Sequence, residues 1–184
     1  MKRLASLLTI ALAALAVAIP QTPTAQAGQA DPTVPSDIVV PDGNKLFLVG
    51  HATGVQIYSC TFTGGAYGWT LVGPRANLVN DDGKLFATHF AGPTWQARDG
   101  SYVVAQLDKK VTVDSMAIPW LRLKATQKVA GLDGDRLTAT TFIQRVNTTG
   151  GLAPAAADCN AATVGTTREI EYTADYYFWK ATGA

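Results

Sequence analysis

Hydrophobic and polar residues alternate along much of the chain with a period of two, the pattern of a β-strand that buries one face. The alternation is clearest over residues 167–178. The apolar positions there are Ile170, Tyr172, Ala174, Tyr176 and Phe178, and the polar positions are Thr167, Glu169, Glu171, Thr173 and Asp175. Residues 120–129 follow the same pattern, and no segment keeps the spacing of an amphipathic helix for long enough to predict one. The pattern therefore predicts an all-β protein.

Turn residues separate the alternating segments at fairly regular intervals, as in Gly64-Gly65 and Asn80-Asp81-Asp82-Gly83. The segments predicted as strands are 46–49, 55–62, 68–72, 84–90, 102–107, 111–113, 120–129, 136–146 and 167–178. A lone sheet would leave one hydrophobic face uncovered, so about eight or nine antiparallel strands must pack as two sheets or close on themselves. The predicted fold is an antiparallel β-sandwich or a flattened β-barrel, and the pattern does not separate these two.

The first residues differ in composition from the rest of the chain. Lys2 and Arg3 precede an apolar run over 4–19, and Ala25-Gln26-Ala27 follows as a typical signal-peptidase site. The run is shorter than the roughly 20 residues that a membrane-spanning helix needs. We therefore expect a secretory signal peptide over 1–27, an extended N-terminal lead-in over 28–44 and a single β domain over 45–184. The expected location is extracellular, with no membrane span in the mature chain.

Charge bears on the partners of this domain. The chain has 15 Lys and Arg residues against 14 Asp and Glu residues. Removal of Lys2 and Arg3 with the signal peptide leaves the acidic residues in a slight excess. The remaining charges are scattered, so the chain lacks the basic field that attracts phosphates, and no nucleic acid partner is predicted.

The two cysteines agree with export. Cys60 and Cys159 are the only cysteines in the sequence. An oxidising compartment favours a disulfide between them. A metal pair or a catalytic thiol is the alternative, but the chain has no Cys-x-x-Cys spacing and neither cysteine has a histidine near it in sequence.

Several short motifs occur in this chain in the same order as in a known family. They begin with Gln56-Ile57-Tyr58-Ser59-Cys60 and Trp69, and continue with His89-x-Ala91-Gly92-Pro93-Thr94-Trp95, Asp99-Gly100-Ser101, Ile118-Pro119-Trp120-Leu121, Ile143-Gln144-Arg145-Val146, Gly150-Gly151-x-Ala153-Pro154 up to Cys159, and Tyr172-x-Ala174-Asp175-Tyr176. The set resembles a family of secreted bacterial and fungal proteins that carry a single domain of unknown function. The resemblance covers about 55–179 and implies an exported protein with no established activity. Some fungal members carry a dehydrogenase label, but this chain lacks the Gly-x-Gly-x-x-Gly turn of a dinucleotide site.

The stretch 89–101 concentrates the candidate chemistry. It contains His89, Trp95 and Asp99, with a Gly-Pro bend and an Asp-Gly turn that predict a surface loop around Trp95. Ser101 completes a set of Ser, His and Asp, but no Gly-x-Ser-x-Gly elbow is present, and a serine after Asp-Gly is typical of a turn.

Metal and glycosidase sites are weaker alternatives. The two histidines, His51 and His89, would need to meet, with oxygen ligands from Asp81, Asp82, Asp99 or Asp175. Glu169 and Glu171 share one strand face at about 6.6 Å, within the range of paired glycosidase carboxylates. Alternating glutamates are also typical of a solvated strand, and no cofactor is predicted.

A ligand-binding site fits the aromatic content better. Trp95 is the leading candidate to line a pocket, with His89 and Asp99 beside it in sequence and Trp179 as the second candidate ring. Arg145 is either an anion clamp or the partner of Asp175 or another carboxylate. The predicted function is non-catalytic binding of a carbohydrate or a small ligand. The alternative is a secreted hydrolase or metal-dependent enzyme that uses His89 and Asp99.

Overall fold

Residues 30–183, which the computed structural model describes, form eight antiparallel strands, and each strand pairs with the next along the chain. The strands are β1 (Asn44–Thr63), β2 (Ala66–Val79), β3 (Leu85–Phe90), β4 (Thr94–Ala97), β5 (Tyr102–Val111), β6 (Trp120–Val129), β7 (Thr140–Gly150) and β8 (Thr167–Ala181). Because β8 also pairs with β1, the sheet closes into a barrel. The all-β prediction is confirmed, and the structure selects the barrel. The predicted signal peptide lies outside the described residues.

The inside of the barrel is the hydrophobic core. On β8, the side chains of Tyr172, Ala174, Tyr176 and Phe178 are buried, whereas the residues between them face outward. This is the alternation that the sequence predicts for the last strand. Strand β6 begins and ends at the predicted residues.

The predicted break between 46–49 and 55–62 is wrong, because both segments belong to the single long strand β1. The glycines in this region make room for neighbouring strands instead of ending a strand. A Cβ atom at Gly50 would lie 2.8 Å from the ring of Phe86, and one at Gly54 would overlap the β2 backbone at Arg75. Close contact inside the barrel therefore explains both glycines.

The predicted loop around Trp95 is also wrong. Residues 94–97 form β4, and Gly92, with a φ of 107°, and Pro93 lie in the tight turn that joins it to β3. Trp95 pairs directly with His89 across this hairpin. Other bounds also differ from prediction: β2 continues to Val79 and β5 to Val111, and 136–139 form a turn before β7 begins at Thr140.

The N-terminal segment packs against the outside of the barrel. A short 3-10 helix at Ser36–Ile38 buries Ile38 completely. The carbonyl of Ile38 accepts a hydrogen bond of 2.8 Å from Gln144 Nε2 on β7, and Gln144 Oε1 accepts one of 2.9 Å from Trp179 Nε1. Trp179, the second candidate for a ligand-contacting ring, is thus 7% exposed beneath this segment. No helix within 30–183 is long and apolar enough to cross a membrane.

The predicted disulfide is confirmed. Cys60 and Cys159 are bonded, with their Cα atoms 5.3 Å apart and a sequence separation of 99. The bond joins β1 to the long connection between β7 and β8. Trp69 on β2 reinforces this contact, because its indole N–H donates a hydrogen bond of 3.1 Å to the carbonyl of Ala155.

Candidate functional site

A cavity of about 320 Å³ lies inside the barrel, with side chains from all eight strands in its wall. Its volume falls at the lower end of the range for small-molecule sites. Its outer part is apolar and includes Leu71, Val72 and Leu107, which are 52–54% exposed. Leu121 and Leu123 continue this apolar wall inward. The cavity can therefore receive an apolar group from solvent.

Three aromatic rings form the inner part of the cavity. The rings of His89 and Trp95 are stacked, with centroids 4.1 Å apart and planes 8° from parallel. Tyr176 packs edge-on against both, at 5.1 Å from His89 and 5.4 Å from Trp95. Trp95 is 1% exposed, so it contributes to the cavity wall and offers no ring face on the protein surface.

His89 is neutral at physiological pH. Its Nδ1 lies 2.8 Å from the carbonyl oxygen of Thr94, and because a carbonyl only accepts, Nδ1 carries the proton. Burial lowers the pKa of His89 to about 3, with a smaller contribution from the charge of Arg145, although the bond to Thr94 opposes the shift. The neutral ring leaves Nε2 as a hydrogen-bond acceptor.

Arg145 brings a positive charge to the same cavity. Its Nε and Nη2 atoms donate hydrogen bonds of 3.2 and 2.8 Å to the carbonyl of Pro119. Of the residues that the structure describes, no Asp or Glu forms an ion pair with it. The predicted pairing with Asp175 is wrong, because that carboxylate binds His51 at 2.7 Å and Asn147 at 2.8 Å. The carbonyl of Pro119 is neutral, so these bonds do not balance the charge of Arg145.

Two buried N–H donors in the cavity wall have no hydrogen-bond partner. They are Gln56 Nε2 and Trp95 Nε1, and both side chains are at least 98% buried. Buried donors are almost always paired in native proteins, since an unpaired one costs about 1–3 kcal/mol. Both donors belong to side chains that line the cavity.

Gln56 and Tyr176 were not among the predicted site residues. Gln56 is nevertheless in phase with the buried positions Ala52, Tyr58 and Cys60 of β1, so a polar amide stands within an otherwise inward-facing set. That amide on a buried face is the signal that could have identified it. Tyr176 belonged to the predicted apolar face, but only the closed barrel brings its ring to His89 and Trp95.

Comparison with known proteins gives one match. The family model described as "Protein of unknown function (DUF3455)" matches residues 41–180. The chain belongs to this family. The predicted resemblance to a family of unknown function is thereby confirmed. No curated protein and no solved structure matches the chain. The DUF3455 match contains all eight strands except the last residue of β8, together with the whole cavity wall and both cysteines.

Asp99 is not part of the cavity of this DUF3455 protein. Its Oδ1 accepts hydrogen bonds from the backbone N–H and hydroxyl of Ser101, at 2.9 and 2.6 Å, and its Oδ2 accepts one of 2.9 Å from the Arg136 N–H. Burial raises the pKa of Asp99, but the bonds from Ser101 and Arg136 outweigh it and hold the pKa below its usual value. Asp99 therefore organises the β4–β5 turn, and no triad of Ser101, His89 and Asp99 is formed.

The two histidines do not meet. His51 is bonded through both ring nitrogens, to Asp175 at 2.7 Å and Asp81 at 2.8 Å. Hydrogen bonds to Asp81 and Asp175 raise the pKa of His51 and favour its protonated form, which is not a metal ligand. Within 30–183, no group of three or more His, Cys, Asp and Glu residues is arranged to hold a metal ion. Of the paired glutamates, Glu169 forms a 2.7 Å ion pair with Arg75.

Proposed function

We propose that this protein is exported and binds a small, largely apolar molecule inside its β-barrel, without transforming it. The observation that carries the proposal is the pair of unpartnered buried donors, Gln56 Nε2 and Trp95 Nε1, at the wall of an open cavity. Buried polar groups without partners are costly, and a ligand with acceptor atoms removes that cost. The signal-peptide pattern over 1–27 and the disulfide support export.

The shape of the cavity favours a compact apolar ligand over a carbohydrate. Sugar-binding aromatic rings expose a face on which the sugar stacks, but Trp95 has one face against His89 and an edge contact with Tyr176. The remaining wall is mostly leucine, valine and proline, which cannot satisfy a set of hydroxyl groups. These contacts support the small-molecule half of the predicted function.

The alternative of a hydrolase or metal-dependent enzyme has less support. It needs His89 and Asp99 to act on one reacting group, and the carboxylate of Asp99 is instead engaged by Ser101 and Arg136. The Nδ1–H group of His89 donates its hydrogen bond to the backbone carbonyl of Thr94. A base of such low pKa would also be a weak proton acceptor at neutral pH.

A neutral fluorescent probe tests this proposal. N-phenyl-1-naphthylamine is apolar and gains fluorescence in apolar surroundings, so we expect saturable binding to the wild-type protein. Leu121→Trp fills the cavity and should weaken this binding by about tenfold or more. Leu132→Trp, at a fully exposed position between β6 and β7, introduces the same residue outside the cavity and is the matched control.

Each outcome of this titration counts for or against the proposal. Binding that is weakened by Leu121→Trp and retained by Leu132→Trp supports it. A wild-type protein that does not bind the probe, or equal affinities for all three proteins, contradicts it. Thermal unfolding checks that Leu121→Trp is folded. If it is not, Leu107→Trp at the exposed rim provides a second way to close the cavity.

A further inference from the structure

The polar groups around the cavity are mostly donors. The side chains of Gln56 and Trp95, which line the cavity, each have an unpartnered N–H group, and Arg145 adds a guanidinium, which has N–H donors and no acceptor. His89 Nε2 is an acceptor among these donors, because the His89 ring is neutral and carries its proton on Nδ1. A ligand that matches this inventory is rich in acceptor atoms and poor in donors.

Arg145 adds a charge to this inventory. It lies opposite Tyr176 in the β7–β8 pairing, and the ring of Tyr176 packs at 5.4 Å from Trp95. It donates two hydrogen bonds to the neutral carbonyl of Pro119, and within 30–183 no carboxylate pairs with it. A partly buried charge without a counter-ion is costly, so an anion is the natural complement.

The number of charges limits the class of anion. Arg145 is the single charged side chain in the described cavity wall, which suits one negative charge better than a phosphate dianion. A carboxylate is planar and can accept two parallel N–H bonds from a guanidinium. Leu71, Leu121 and Leu123 form an apolar part of the cavity wall, which would contact the apolar body of such a ligand.

We propose that the cavity binds a small monocarboxylate, with its head group held by Arg145 together with the unpartnered N–H groups of Gln56 and Trp95, and its apolar body against the leucine wall. This inference rests on the proposed ligand-binding function and adds the chemical class of the ligand to it. The cavity volume of about 320 Å³ limits the ligand to a compact molecule.

Pairs of ligands that have the same apolar body test whether the cavity prefers a negatively charged head group. Straight-chain carboxylates from hexanoate to dodecanoate are titrated calorimetrically into the wild-type protein at neutral pH, each beside the primary amide of the same length. The pair differs in charge and in the donors of the amide, while the apolar body is the same. We expect at least one carboxylate to bind about tenfold or more tightly than its amide, because a charged hydrogen bond replaces a neutral one.

Variants of Arg145 assign the effect to this residue. Arg145→Gln should weaken carboxylate binding by about tenfold or more and amide binding by less, so that the preference for the acid is lost, and Arg145→Lys should retain part of that preference. Arg168→Gln, at an exposed position on β8 outside the cavity wall, is the charge-matched control and should bind as the wild type does.

The outcomes separate this inference from the function on which it rests. Equal affinity for acid and amide, or a preference for the acid that Arg145→Gln leaves intact, overturns the carboxylate assignment but leaves a neutral apolar ligand. Failure of every acid and amide to bind, while the neutral fluorescent probe binds in the cavity, also overturns it. Failure of the probe as well overturns both proposals. If Arg145→Gln does not fold, the wild-type comparison of acid with amide still decides between a charged and a neutral ligand.

Discussion

At the scale of single residues, His89 shows most clearly how the barrel changes a side chain's chemistry. In water its imidazole would be partly protonated at mildly acidic pH, but here stacking on Trp95 and a bond to Thr94 hold it inside the core. Burial disfavours the charged form, and the nearby positive charge of Arg145 disfavours it further. His89 is therefore better suited to forming the cavity wall and accepting a hydrogen bond through Nε2 than to acid–base catalysis.

This burial predicts a dependence of stability on pH. The pKa of His89 is about 3 in the folded protein and about 6.5 when the chain is unfolded, so between these values only the unfolded chain binds the proton. The contribution of His89 to the free energy of unfolding is largest above pH 6.5. Between that value and pH 3 it falls by about 1.4 kcal/mol for each pH unit.

The measurement compares wild type with His89→Asn, which keeps a donor for the carbonyl of Thr94 but cannot titrate. Urea unfolding at pH 7, 6, 5 and 4 should show the stability advantage of the wild type shrinking steadily below pH 6. Effects of other titrating groups, such as His51 and Asp99, cancel in this difference. An advantage that stays constant from pH 7 to pH 4 would mean that His89 is not held neutral by burial.

At the scale of elements, the hairpin of β1 and β2 is tied to the chain that follows β7. The Cys60–Cys159 bond makes this connection covalently, while Trp69 and Ala155 share a hydrogen bond beside it. The backbone carbonyl of Cys60 also accepts a hydrogen bond of 2.9 Å from the N–H of Gly165. The bond therefore closes a long loop between elements that are already in contact in the folded state.

Removal of this bond should lower the free energy of unfolding by a few kcal/mol. Closing a loop of about a hundred residues stabilises by up to about 4.7 kcal/mol through the entropy of the unfolded chain. The double variant Cys60→Ser, Cys159→Ser is compared with wild type by urea unfolding, with and without a reducing agent. The reductant should destabilise the wild type alone, and equal stability of the oxidised wild type and the variant would contradict this expectation.

At the scale of the whole molecule, local pattern predicts the strands and long-range pairing decides the architecture. Strands β6 and β8 follow from alternation, which is a property of neighbouring residues. Closure of the barrel depends on β8 meeting β1, and no local pattern distinguishes that pairing from a sandwich. The roles of Gly50 and Gly54 also depend on other strands, because their close contacts are with Phe86 on β3 and with the backbone of β2.

The candidate site was predictable to a similar degree. His89, Trp95 and Arg145 were identified singly from their chemistry, and all three lie at the cavity. Asp99 was grouped with them because it is close in sequence. In the structure β4 separates Asp99 from His89, and the carboxylate of Asp99 accepts a hydrogen bond from Ser101 in the turn. Gln56 could have been identified as an amide on a buried strand face, but its place beside the other cavity residues depends on closure of the barrel.

Ligand binding inside the barrel against Trp95 is tested most directly by the indole N–H signals of ¹⁵N-labelled protein. The sequence has four tryptophans, and Trp95→Phe identifies the signal of Trp95. Adding N-phenyl-1-naphthylamine should shift that signal in a saturable way. The signals of Trp69 and Trp179, whose N–H groups already donate to Ala155 and Gln144, should stay in place. A Trp95 signal that remains unchanged at saturating probe would contradict the account.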